Sequence, residues 1–183
     1  MPRIDQFMSH FLNVRESAEG RATLYDAAGN PLPHTEAQEL WNYLSSTNRT
    51  PFNGQICRTW LDALFKKGEK GLVMVTNHRI VGNQLKEEPI PLDDYLKKDN
   101  VYIDFRKLTA QGLAKPDSET GDSNYIQGSN IVYWQPVENC VARFGADSDR
   151  ALLFCDWSPT NTYPRLGVFP CAEGTGAPER SKA

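Results

Sequence analysis

Near the start of the chain, apolar residues recur at three- and four-residue steps. Ile4, Phe7, Met8, Phe11 and Leu12 share one helical face, so the spacing predicts a short amphipathic helix over 4–14. Thr23-Leu24-Tyr25-Asp26 and Pro31-Leu32-Pro33 flank Ala28-Gly29-Asn30, which reads as a turn in a weak hairpin. Its return segment carries two prolines and is an edge at best. Thr35 then opens a second helix, with Gln38 three residues on to reach back to the cap amide. Ala37, Leu40, Trp41 and Leu44 form its buried stripe. The same rhythm in Ile56, Trp60, Leu61, Leu64 and Phe65 predicts a third helix starting after Thr50-Pro51 or Asn53-Gly54. Lys66-Lys67-Gly68 supplies a basic last turn and a glycine stop.

From Gly71 the period changes. Leu72-Val73-Met74-Val75 is a short apolar run rich in β-branched residues, and Val101-Tyr102-Ile103-Asp104-Phe105 alternates; both read as strands. Pro89-Ile90-Pro91 breaks the chain between them, and 92–98 is long enough for one or two helical turns. Residues 115–130 are polar, acidic and full of turn formers, the pattern of a mobile surface loop. Further strands are expected over 131–135, 139–144, 151–157 and 166–170. The fold class that follows is α+β: a helical N-terminal half packed on a mainly antiparallel C-terminal sheet. One domain is expected over 1–171, followed by a polar tail over 172–183.

Length and charge narrow the function. At 183 residues, 39% hydrophobic and 23% charged, the chain has the make-up of a folded domain rather than a disordered one. No apolar stretch approaches the roughly 20 residues of a membrane span. The opening Met1-Pro2-Arg3-Ile4-Asp5 lacks a basic-then-apolar leader, so a cytoplasmic location without membrane attachment is expected. A net charge of −3 with scattered basic residues argues against a nucleic-acid partner, which calls for a basic excess.

Three constellations carry candidate chemistry. Cys57 falls within the first turn of the expected third helix, where unpaired amides and the helix dipole favour a thiolate. His78 ends the first strand and Asp104 lies in the second, the set needed for a nucleophile, its base and an orienting acid. This order of cysteine on a helix, then histidine and acid on strands, resembles the plan of papain-like and transglutaminase-like folds. The resemblance implies a cysteine hydrolase or acyltransferase with Cys57, His78 and Asp104 as catalytic residues. The same residues also fit a small buried thiol, a turn histidine and a solvent-side strand acid.

If the loop after the 139–144 strand is symmetric about Asp147-Ser148, Cys140 faces Cys155. If the next connection is symmetric about Tyr163, Cys155 faces Cys171. A row of three thiols could hold a soft metal, form a redox pair or simply pack. With no C-x-x-C pair among the four cysteines, no metal or other cofactor is expected.

Aromatic residues crowd the chain after residue 130. Tyr133 and Trp134 are adjacent, so in a strand they point to opposite faces. Together with Trp157 and Tyr163 they form an expected partner-binding set, since such rings combine apolar bulk with a polar tip. Two functions follow: a noncatalytic protein-interaction or assembly module, a candidate subunit of a larger complex, or the cysteine hydrolase. Whether the protein is an enzyme stays open at this level.

Overall fold

The computed structural model describes residues 1–45, 57–147 and 149–161. The strand expected over 166–170, Tyr163, Cys171 and the 172–183 tail lie outside these residues.

The first helix, α1, runs Ile4–Ala18 and buries Ile4, Phe7, Met8, Phe11 and Val14, the stripe that its spacing dictates. It extends four residues past the expected end. At its start the Gln6 side chain accepts the Arg3 amide at 3.0 Å. The second helix, α2, spans His34–Ser45 and buries Ala37, Trp41 and Leu44. It begins one residue before Thr35, with the amides of Glu36 and Ala37 donating to the Pro33 carbonyl. The weak hairpin before it is a single bridge, Tyr25 to Pro31, tied by Asp26 side-chain bonds to the amides of Ala28 and Asn30.

The expected third helix is instead a strand, β1, over Arg58–Gly68. Leu61, Ala63 and Phe65 are buried in the helix-covered core, while Trp60 and Leu64 alternate with them on the other face. The register slips between Trp60 and Leu64, and a strand with apolar residues on both faces loses its two-residue rhythm. The surviving intervals of three and four residues mimic a helix. Gly68 is likewise no helix stop: it pairs with Gly71 across the turn into the next strand.

The remaining strands are β2 Gly71–Val81, β3 Gln84–Pro91, β4 Asp99–Ile103, β5 Ile131–Trp134, β6 Val141–Ala146 and β7 Ala151–Trp157. They form one sheet in the order β3-β2-β1-β6-β7-β5-β4. Every pairing is antiparallel except β5 with β7. The fold is therefore α+β, two N-terminal helices on a mostly antiparallel open sheet. Residues 92–98 form no helical turn.

Both helices lie on one face of the sheet. Phe11 is the hub: its ring centroid sits 5.0 Å from Trp41, 5.2 Å from Phe105 and 5.4 Å from Phe144. The polar 115–130 segment is held by its own side chains. Asn130, fully buried, accepts from the Ile126 amide at 2.8 Å and donates to Asp122 at 2.7 Å. The Tyr125 hydroxyl donates to the Ser45 carbonyl at 2.7 Å.

Candidate functional site

Cys57, His78 and Asp104 are not brought together. Cys57 precedes β1 and is sealed in the core under the helices, 0% exposed. Burial pushes its thiol up to about 12, against a hydrogen bond with Tyr43 that pulls the other way. That direction is opposite to the one a nucleophilic thiolate needs, and with β1 in place of a helix no dipole offsets it. Asp104 forms a two-point ion pair with Arg106, at 2.7 and 2.8 Å. This hydrogen-bonded partner holds its carboxyl below the ordinary range. In the sheet order, β4 lies five strand spacings from β2, roughly 24 Å.

His78 has a partner that sequence reasoning missed. Asp62 lies on β1 between the core residues Leu61 and Ala63, so its side chain belongs to the sheet face away from the helices. Its carboxylate accepts from the His78 amide at 3.2 Å and also meets the imidazole Nδ1. The other ring nitrogen stands 3.7 Å from Glu87 on β3, and Glu87 is bonded to Lys66 at 3.2 Å. A bulge positions the histidine. The register between β2 and β3 shifts between Thr76 and Arg79, and Asn77 takes a left-handed φ of +54°, which asparagine tolerates better than most residues. The N-terminus braces the bulge: Arg3 donates to Asn77 Oδ1 at 3.3 Å, and the Asp62 amide to the Pro2 carbonyl at 2.8 Å. The arrangement orients an imidazole, and its polar contacts among the described residues are with the carboxylates of Asp62 and Glu87.

The thiol row does not form as expected. β6 and β7 pair with Phe144 opposite Leu153 and Ala146 opposite Ala151, two residues out of step with the symmetric loop. Val141 then pairs with Trp157 across a further irregularity, and Cys140 falls beyond the ladder. Cys155 is fully buried, which drives its thiol well above the usual value. Among the described residues no cluster of three or more His, Cys, Asp or Glu side chains is placed to hold a metal ion.

Of the aromatic pair, Tyr133 is the sealed one, 0% exposed, and Trp134 points to the opposite face. There it stacks on Phe154 at 4.4 Å and 27°. The Arg143 guanidinium lies 4.6 Å from the Phe154 ring centre and 3.9 Å from that of Trp157. These rings spend their faces on one another and on a cation.

Among the described residues, the most exposed large apolar side chain, Ile80, lies elsewhere. β2 and β3 are joined by Gly82-Asn83, with Gly82 at φ +61°, a tight turn that favours glycine at its first position. At the tip, Ile80 is 78% exposed, Val81 53% and Leu85 62%, and Ile80 lies directly opposite Leu85. The Gly-Asn dipeptide between Ile-Val and Gln-Leu is a hairpin signal legible in the chain, although Pro89 and Pro91 interrupt the strand pattern that follows it.

The two sheet edges also differ. The free side of β4 is covered: Ile103 bridges to Glu119, and the Thr120 amide donates to the Tyr102 carbonyl at 3.0 Å. Among the described residues, nothing pairs with the outer side of β3.

No protein-family model matches this chain, and no curated protein or solved structure does either. Among the described residues, no helix is long and apolar enough to cross a membrane. The described surface offers an open backbone edge on β3, an apolar hairpin tip and an oriented imidazole on β2.

Proposed function

We propose that this protein is a noncatalytic interaction module that engages a partner protein through the tip of the β2–β3 hairpin and the adjoining strand edge. The observation that carries the reading is the exposure of Ile80 and Leu85, directly opposite each other on one face of the hairpin, with Val81 exposed on the other face at its tip. A cluster of apolar side chains in water marks an interaction surface. An edge strand with no partner among the described residues lies beside it and offers backbone hydrogen bonds to the same partner. The raised thiol of Cys57 and its separation from His78 and Asp104 support the noncatalytic half of the reading.

The test is selection from a random peptide library displayed on phage, run against the whole chain and against an Ile80→Lys/Leu85→Lys double variant. Both side chains are largely solvated, so the variant keeps the parent stability to within about 0.5 kcal/mol per site. Enriched peptides should bind the parent and lose the variant. Peptides that bind both equally well sink the proposal.

A further inference from the structure

Building on the reading that a partner docks at this hairpin, we infer that it contributes an extended segment pairing antiparallel with the outer edge of β3, with an acidic side chain opposite Lys86. Pro89 and Pro91 fix which way β3 faces. Proline has no N–H to give a ladder, so in an edge strand it occupies positions whose amide side points away from the neighbour. These two lie opposite Val75 and Val73, leaving Met74–Ile90 and Thr76–Glu88 as the hydrogen-bonded pairs. From the other end, the two-residue turn closes on Val81 and Gln84. The alternation agrees: Gln84, Lys86, Glu88 and Ile90 turn their backbone groups to β2, while Leu85, Glu87, Pro89 and Pro91 turn theirs outward. Two of those four lack a donor, so the edge offers the amides of Leu85 and Glu87.

A segment centred opposite Lys86 takes both. Its residues facing Leu85 and Glu87 each exchange a pair of N–H···O bonds with β3. Lys86 then sits in the close, non-hydrogen-bonded pair, where side chains across an antiparallel ladder approach most nearly. On its other side Lys86 already lies directly opposite Arg79, and like charges so placed repel. A carboxylate on the incoming segment turns a row of two cations into cation, cation, anion. A second copy of this chain does the reverse: the two-fold arrangement that uses every outward amide sets Lys86 against its own counterpart, a row of four cations.

The residue facing Leu85 falls on the side of the sheet that carries Ile80 and Leu85, so it is apolar. Glu87 already meets Lys66, so the residue facing it is unrestricted. In the N-to-C direction, the partner reads any residue, acidic, apolar.

Two heptapeptides, acetylated and amidated, test this: one threonine-rich with Glu-Val at its fourth and fifth positions, the other with Lys-Val there. Each is titrated to millimolar concentration into the ¹⁵N-labelled chain and followed by heteronuclear NMR. The Glu peptide should shift and protect the Leu85 and Glu87 amides and bind at least about threefold tighter than the Lys peptide. The Lys86→Glu variant should reverse the order. A Lys86→Thr chain should self-associate in sedimentation where the parent is a monomer. Equal affinities, no shift at those amides, or a parent dimer with β3 protected would each overturn the inference. Library peptides that need the hairpin but show no acidic–apolar preference would overturn it too, while leaving the interaction module standing.

Discussion

Gly112→Ala tests the coupling between the loop after β4 and the start of α1. Gly112 is buried at φ +84°, and a Cβ there would lie 2.7 Å from the Asp5 amide nitrogen and 2.8 Å from the Ile4 carbonyl carbon. Two costs are separable. Placing a non-glycine residue in the left-handed region costs roughly 1–2 kcal/mol. Forcing a methyl group against backbone in a packed site costs a further 1–3 kcal/mol or so, because neither Ile4 nor Asp5 can step aside without moving the first turn of the helix. The total, about 2–5 kcal/mol, is a large share of the 5–15 kcal/mol typical of a domain. Gly20→Ala is the control: φ is +76° and nothing lies within 4 Å of the added carbon, so only the first cost applies. Urea unfolding of both variants, with a slope of roughly 2 kcal/mol per molar, should lower the midpoint by about 1–2.5 M for Gly112→Ala. Gly20→Ala should lose only the first part, about 0.5–1 M. Equal losses at the two positions would refute the close approach of this loop to α1. The consequence reaches the bulge, because Pro2 and Arg3, just ahead of that turn, bond to Asp62 and Asn77.

Phe11→Ala should cost about 3–5 kcal/mol in the same assay, since that ring meets three others in the core; a loss under 1 kcal/mol would contradict the packing described. Asp156 has its carboxyl raised by burial first and by Asp99 next, against the pull of Arg143. A raised folded value contributes stability below the unfolded value that is lost as pH rises through the folded one. Asp156→Asn should therefore raise the melting temperature at pH 7 relative to the parent, with the gain fading towards pH 3; the opposite trend would mean the carboxylate is stabilised in place. Iodoacetamide between pH 5 and 9 should leave Cys57 and Cys155 intact in the folded chain and label them in denaturant, by mass spectrometry. Fast modification of native Cys57 at low pH would restore the hydrolase reading.

What the sequence made legible follows from how each element is covered. α1 and α2 bury one stripe each, so the helical period survives intact. β7 is apolar from Ala151 to Cys155 and lies between two stretches of turn formers, so 151–157 matches its bounds. β1 was misread because both of its faces are apolar and its register slips, two effects that together imitate a helix. β3 went unseen for a different reason: its side chains are almost all solvated, so no hydrophobic rhythm exists to find, and only the Gly82-Asn83 turn announces it. The pairing of Asp62 with His78 depends on a bulge and on which strands are neighbours, neither of which is encoded locally. Tyr133 against Trp134 was half legible; alternation separated the two rings, but which face the helices cover is a tertiary fact.

The contrast between the two sheet edges bears most directly on function. An edge strand left open invites indiscriminate pairing, and chains blunt it with prolines, charges or a covering segment. β4 uses the last of these. β3 uses prolines over its second half and places charged residues at its centre, yet leaves two outward amides beside Ile80, at 78% the most exposed large apolar side chain among the described residues. Were the purpose only protection, continuing the proline spacing towards the turn would close the edge, and polar residues at 80 and 85 would cost nothing in the core, since neither position reaches it. Protection that stops where apolar exposure begins is selective rather than general. On the reading proposed above, it disfavours strands that cannot meet Lys86 with a negative charge and leaves room for a short one that can.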